Sequence, residues 1–288
     1  MSESGFPMHL RKPDWLKVPL PNSREFIEVR GLLGRLGLHS VCQEARCPNM
    51  GECFQSGTAT FLILGNTCTR NCRYCNVRHG QPAAPDEGEP ERLASAVKTL
   101  GLRYVVITSV TRDDLTDGGA SQFVRCVELL RKEIVDCRVE VLIPDLGGNW
   151  NALESILASG PRVLNHNVEV VPRLFGELRP GGNYALSLEL LQRAGADDRK
   201  AVTKSGFMIG LGETRDEILS LLDDLAAGSC ASLTIGQYLQ PSADHWPVAK
   251  FYMPEEFEGF RQEALLRGFK KVVSGPLVRS SYHAAKHA

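Results

Sequence analysis

A chain of 288 residues, 43% hydrophobic and 23% charged, can bury a sizeable core in one large domain, with or without appendages. Its 33 Lys and Arg against 34 Asp and Glu leave a formal net charge of −1, which excludes a basic field for nucleic acid and an acidic tail. The longest apolar runs, such as 104–107 and 139–143, fall far short of the roughly 18 to 20 residues of a membrane span. No basic stretch leads into an apolar core at the N-terminus, so the expectation is a soluble, cytoplasmic protein that binds neither nucleic acid nor membrane. Nine cysteines are an odd number in a chain expected to stay in a reducing compartment, which predicts metal binding or catalysis rather than a disulfide framework.

Residues 1–60 are rich in Pro, Gly and Cys and read as an N-terminal extension with one short helical pattern over 26–36. From residue 61, apolar or β-branched runs alternate with amphipathic helical patterns. Strands are predicted at 61–65, 104–109, 139–144, 162–166, 206–210 and 233–238. Helices are predicted at 91–100, 121–135, 150–158, 185–194, 214–227 and 254–266. Six βα units in series specify an α/β fold, either a doubly wound sheet or a partial TIM-like (β/α)6 barrel. The barrel is favoured because nearly every polar or glycine-rich cluster follows the carboxyl end of a strand, where barrels carry their active-site loops. The division expected is 1–60 as extension, 61–267 as barrel and 268–288 as a C-terminal segment.

Two cysteine triplets carry the chemistry. Directly after the first strand stands Cys68-Thr-Arg-Asn-Cys72-Arg-Tyr-Cys75, three thiols in one short loop. Structural zinc sites and ordinary ferredoxin cubanes recruit four ligands, whereas a [4Fe–4S] cubane held by three thiolates leaves one iron open to an exogenous molecule; a zinc knuckle is the plainer alternative. The spacing, with Tyr74 before the last cysteine, resembles the radical S-adenosylmethionine superfamily. The second triplet, Cys42-Gln-Glu-Ala-Arg-Cys47-Pro-Asn-Met-Gly-Glu-Cys53, has no common zinc-finger spacing and needs a fourth ligand from elsewhere. The tail Arg279-Ser280-Ser281-Tyr282-His283-Ala284 offers one.

Both triplets together with this tail resemble the lipoyl synthase family. Thr58-Ala-Thr-Phe61, Thr111-Arg-Asp-Asp-Leu-Thr-Asp-Gly-Gly119, Asn165-His-Asn-Val-Glu169, Arg179-Pro-Gly181, Lys204-Ser-Gly206 and Gln237-Tyr-Leu-Gln-Pro-Ser242 extend the likeness along nearly the whole chain. The loop Pro144-Asp-Leu-Gly-Gly148 departs from the Phe and Arg that many members carry there. The resemblance implies two [4Fe–4S] clusters, one on Cys68, Cys72 and Cys75 that binds S-adenosylmethionine, and an auxiliary one on Cys42, Cys47, Cys53 and Ser281. It implies that octanoyl chains on lysines of lipoyl carrier domains (the glycine cleavage H protein and the 2-oxoacid dehydrogenase E2) receive sulfur at C6 and C8, donated by the auxiliary cluster. A ferredoxin- or flavodoxin-type electron donor and an Fe–S cluster carrier are the further implied partners. The competing expectations are another sulfur-inserting radical enzyme, or a non-catalytic Fe–S or zinc protein.

Other residues have a structural role beside a functional one. Gly118 and Gly119 resemble the superfamily loop whose backbone holds the amino group of S-adenosylmethionine; an ordinary turn before a helix has the same residues. Asn165, Asn167 and Glu169 either contact the cofactor or satisfy buried hydrogen bonds. Gly210 and Gly212 serve adenine approach or a strand-to-helix turn, and a dinucleotide loop is excluded because position 215 is Arg. Cys126, Cys137 and Cys230 read as packing thiols, and His283 and His287 as exposed residues.

Overall fold

The computed structural model describes residues 11–18, 23–45, 47–55, 60–199, 201–282 and 284. Arg46, Thr58, Ala59, His283 and His287, named above, lie outside the described residues. In chain order the elements open with α1 (Arg24–Arg35), β1 (His39–Ser40), α2 (Val41–Glu44), α3 (Met50–Gln55), β2 (Thr60–Ile63), β3 (Thr67–Cys68) and β4 (Arg78–His79). They continue through α4 (Glu89–Thr99), β5 (Tyr104–Ser109), α5 (Ala120–Glu133), β6 (Arg138–Leu142), α6 (Trp150–Ser159), β7 (Val163–Asn165) and α7 (Pro172–Leu178). The last are α8 (Tyr184–Gly195), β8 (Val202–Ile209), α9 (Arg215–Ala227), β9 (Ser232–Gln237), α10 (Pro254–Leu266) and β10 (Lys271–Gly275).

One eight-stranded sheet runs in the order β1, β2, β5, β6, β7, β8, β9, β10. Every pairing in it is parallel except β1 with β2. This is the expected α/β partial barrel, with one more parallel strand than six units provide. β10 pairs with β9 from Lys271–Ser232 to Gly275–Gly236, so the sheet runs beyond the boundary expected at residue 267 and the tail proper begins after Gly275. α7 is a second addition. Its seven residues are started by Pro172, whose fixed φ suits the first helical position, and are too few to show a period.

Side chains alternate across the sheet and so build two cores. Val105 and Ile107 of β5 and Val139 and Val141 of β6 pack with Leu93, Val97, Phe123 and Leu130 of the covering helices. Phe207, Ile209, Leu233 and Ile235 do the same with Ile218, Leu221 and Phe257 on the other half. The opposite set faces the barrel interior. There Glu140 accepts from Tyr104 Oη at 2.6 Å, Asn165 Nδ2 at 3.1 Å and Lys204 Nζ at 2.8 Å, and the Lys204–Glu140 pair is 3% and 1% exposed. Nearer the carboxyl ends, Leu142, Gly206, Met208, Thr234 and Gly236 leave space instead of filling it.

Candidate active site at the barrel mouth

The loop after β2 carries Cys68, Cys72 and Cys75, and its backbone is fixed on all sides. Cys68 lies in the short parallel ladder of β3 and β4, Thr69 N donates to Thr111 O, Arg73 N to Leu178 O and Cys75 N to Cys72 O. Arg70, inside the loop, forms two bidentate pairs: Nε and Nη2 with Asp113 at 2.8 and 2.7 Å, Nη1 and Nη2 with Asp145 at 2.6 and 2.8 Å. Asp145 belongs to the loop that departs from the family pattern, and here it braces the cysteine loop. Although burial opposes it, Arg70 holds the Asp145 carboxyl below the usual carboxylate range. The three thiols line one cavity of about 190 Å3 with Ser109, Thr111, Asn167, Glu169 and Arg179. Cys68 Sγ accepts backbone N–H groups of Arg70 at 3.4 Å and Thr111 at 3.3 Å. Burial pushes the Cys75 thiol up to about 12 and raises that of Cys72, the latter against the opposing charge of Arg179.

Cys42 and Cys53 of the second triplet sit on α2 and α3, and Cys47 lies in the link between them. Cys42 is buried in α2, which Ser40 caps by accepting from Cys42 N at 3.2 Å; Cys53 is buried in α3. Cys42 and Cys47 share a hydrogen bond, which raises the Cys42 thiol and lowers that of Cys47, where the Arg279 guanidinium assists. The tail is laid directly onto this group. Asn49 Nδ2 donates to Leu277 O at 2.5 Å, and Tyr282 Oη meets both carboxylate oxygens of Glu52 at 3.2 Å, one residue from Cys53. Ser281 is therefore bracketed between Arg279, which faces Cys47, and Tyr282, which faces Cys53. Ala284 is buried against Tyr104 and Val106 in the barrel interior.

Between the triplets lies a larger cavity of about 410 Å3, and Val41, Tyr74, Cys75, Leu142, Asn167 and Glu169 line both hollows. Glu169 holds a left-handed φ of 70°, and burial raises its carboxyl pKa against the charge of Arg179. Asn167 Nδ2 donates to Glu169 at 3.1 Å while its buried Oδ1 has no partner. Strain and an unused buried acceptor together, at a cavity wall, mark a place where a ligand completes the hydrogen bonding. Asn165, by contrast, belongs to the Glu140 network in the interior.

Gly118 and Gly119 line neither cavity. Both adopt left-handed φ, their N–H groups donate to Leu115 O and Asp117 Oδ1, and a Cβ on Gly119 would collide with Leu64. Their packing is that of the turn that starts α5. Gly210 is likewise pressed on Gln237 and Lys250 in a strand-to-helix turn; the glycine that opens the cavity from β8 is Gly206. Sequence reading also assigned nothing to Lys12, Arg179, Tyr238 or Arg279, all of which line these hollows. Arg179 and Arg279 stood in quoted motifs, but nothing linear showed which way they face.

Residues 62–225 match the radical SAM superfamily, and residues 3–47 match the N-terminal domain of lipoyl synthase of that family. The lipoyl synthase of Roseiflexus sp. (strain RS-1) is 54% identical over 96% of this chain and 92% of its own length. The chain belongs to the lipoyl synthase family. Lipoyl synthases of Chloroflexus aurantiacus (53%, covering 99% of this chain and 93% of the relative) and Desulfotalea psychrophila (54%, 97% and 93%) agree. Methylornithine synthase shares the fold at TM-score 0.55 and 14% identity, covering 86% of this chain and 81% of that one. Streptococcus suis SuiB does so at 0.58 and 11%, covering 79% and 52%.

A lipoyl synthase uses two [4Fe–4S] clusters and S-adenosylmethionine. The thiols present fit that demand. They form two separate groups of three, soft ligands suited to Fe–S clusters, and backbone N–H groups already point at one sulfur. Among the described residues, no three His, Cys, Asp or Glu side chains are grouped so as to hold a single metal ion. Cys126 and Cys230 are buried in the helix-side cores and belong to packing. Among the described residues no helix is long and apolar enough to cross a membrane.

Proposed function

We propose that the protein inserts sulfur at C6 and C8 of an octanoyl chain carried on a lysine of a lipoyl carrier domain, such as the glycine cleavage H protein or a 2-oxoacid dehydrogenase E2. Cys68, Cys72 and Cys75 hold the cluster that meets S-adenosylmethionine; Cys42, Cys47, Cys53 and Ser281 hold the auxiliary cluster that gives up sulfur. When bound, these groups supply one-electron cleavage of S-adenosylmethionine, hydrogen abstraction from unactivated carbon, and the sulfur itself, chemistry no side chain can provide. The electron is taken from a ferredoxin- or flavodoxin-type donor, and an Fe–S carrier restores the auxiliary site.

The protein's share is binding, orientation and exclusion of water. Asn167 and Glu169 offer acceptors for the cofactor's hydroxyl and amino groups, and Arg179 a cation for its carboxylate. In the larger hollow, whose wall Asn167 and Glu169 share, Leu142, Met208 and Val278 give an apolar face for an alkyl chain, and the tail covers it. Ser281 would offer the auxiliary cluster an oxygen, a harder ligand than the three thiolates, and so would set one iron apart from the others.

One observation carries the reading: a single cavity is lined both by Cys75 and by Arg279 and Ser280 of the tail. The test separates the two triplets in anaerobically reconstituted protein. Alanine at Cys68, Cys72 and Cys75 should abolish 5′-deoxyadenosine formation, while alanine at Cys42, Cys47 and Cys53 should keep it and abolish thiolated product. Ser281→Ala should lose product and Ser280→Ala should be milder. Product from the Cys42/Cys47/Cys53 variant refutes the donor role.

A further inference from the structure

The segment after β9 carries residues that the site has not yet absorbed. It leaves the sheet along the cavity wall, where Tyr238, Leu239, Gln240 and Pro241 face the same space as Cys75. It then turns back and grips the cysteine loop at two carbonyls. His245 Nε2 stands 3.1 Å from Cys75 O, and Trp246 N donates to Arg73 O at 2.9 Å, with the Arg73 guanidinium 5.2 Å over the Trp246 ring. A carbonyl can only accept, so Nε2 carries the hydrogen, and Nδ1 is left to accept from the Ser242 hydroxyl at 2.8 Å. The strap is itself anchored: Gln240 Nε2 donates to His245 O at 2.9 Å, Tyr238 Oη to Trp246 O at 2.7 Å, and Trp246 Nε1 to Leu211 O at 2.9 Å.

We propose that His245 is a positioning residue that couples occupation of the cavity to the geometry of the cysteine loop. A cofactor resting on Tyr238, Leu239 and Gln240 orders the strap, and the strap holds the carbonyl of Cys75 through one oriented N–H. Because such coupling is reciprocal, loosening the His245 bond must weaken cofactor binding even though His245 does not line the cavity. The inference rests on Cys68, Cys72 and Cys75 being the ligands of the first cluster.

The test uses full-length protein with alanine at Cys42, Cys47 and Cys53, reconstituted so that only the first cluster is observed. His245→Ala, His245→Gln and Ser242→Ala are compared by iron content, by the change that S-adenosylmethionine causes in the reduced cluster's electron paramagnetic resonance spectrum, and by the cofactor's Kd from equilibrium dialysis. His245→Ala should keep its iron, respond less in the spectrum, and bind S-adenosylmethionine about three- to tenfold more weakly, the worth of one such hydrogen bond. The glutamine amide can donate from the same place, so His245→Gln should recover most of the loss; Ser242→Ala, which frees the ring to rotate, should fall between. A wild-type Kd and spectral response in His245→Ala overturns the proposal, as does a His245→Gln variant equally impaired at full iron content. Absence of any cluster or cofactor response in the unmutated-strap background instead overturns the ligand assignment.

Discussion

Replacing Gly236 by Ala tests whether the tail must lie where it does. A Cβ at that position would overlap the carbonyl oxygen of Val278, come within 3.2 Å of its carbon and 3.4 Å of Arg279 Nη1. The obstacle is backbone, which cannot rotate away, so ordinary contact is regained only if the tail withdraws by about 1 Å, a misplacement that can cost about a hundredfold in rate, or about 2.7 kcal/mol. Three residues beyond Val278 is Ser281, in the stretch whose Arg279 and Tyr282 face Cys47 and Cys53, so the loss should fall on sulfur transfer. The assay is anaerobic turnover of an octanoylated peptide with lipoyl product and 5′-deoxyadenosine counted together. Gly236→Ala should lower product about a hundredfold and raise the ratio of 5′-deoxyadenosine to product. Gly275→Ala on the adjoining strand is the control, because its Cβ would meet only the Val278 side chain, at 3.3 Å, and that can turn aside. A wild-type product ratio in Gly236→Ala, or equal damage from Gly275→Ala, would refute the reasoning.

Three further outcomes follow from buried polar groups. Asp145→Ala leaves Arg70, 8% exposed, with only its outer partner, and should cost about 3 kcal/mol in urea unfolding; a loss under about 1 kcal/mol would show that Asp113 suffices. Lys204→Met should cost about 3 to 5 kcal/mol by stranding Glu140, and adding Glu140→Gln should restore a good part of it; strictly additive losses would deny the pairing. His166, bonded to Ile143 O and Ser187 Oγ, is lowered to about 4 by burial and by the charge of Arg179. Between the ordinary value of 6.5 and that pH the unfolded chain binds a proton the folded chain refuses, so stability should fall by about 3 kcal/mol as pH drops through this window. His166→Gln should flatten that decline, and parallel curves for the two proteins would exclude His166 as its source.

The strands of the barrel could be located from sequence because a parallel sheet covered by helices reads as short, nearly continuous apolar runs; 104–109 matches β5 to the residue, and the others to within a few. β10 escaped since Lys271–Gly275 is an edge strand whose residues are mostly only partly buried, so it lacks that signature. The cysteine triplets were legible because each is local: one loop, one pair of short helices. Gly118 and Gly119 were legible only as left-handed backbone, since a glycine pair does not say what that backbone faces. His245 was invisible because its meaning lies 170 residues away, in the carbonyl of Cys75. Arg279 was in plain view within the tail motif, yet only the folded chain shows it against Cys47.

Among the described residues the sheet does not close on itself: its order runs from β1 to β10 as an open series. The two stretches next to its free edges, 49–52 and 277–282, are instead fastened to each other by Asn49 with Leu277 and by Glu52 with Tyr282. This imposes an order on folding. The loop of Cys68, Cys72 and Cys75 is fixed by partners no later than Trp246, but the pocket around Cys42, Cys47 and Cys53 stays unfinished until Tyr282 has folded onto Glu52. The thiols at the start of the fold therefore depend for a finished pocket on a residue 230 positions later, Tyr282 against Glu52.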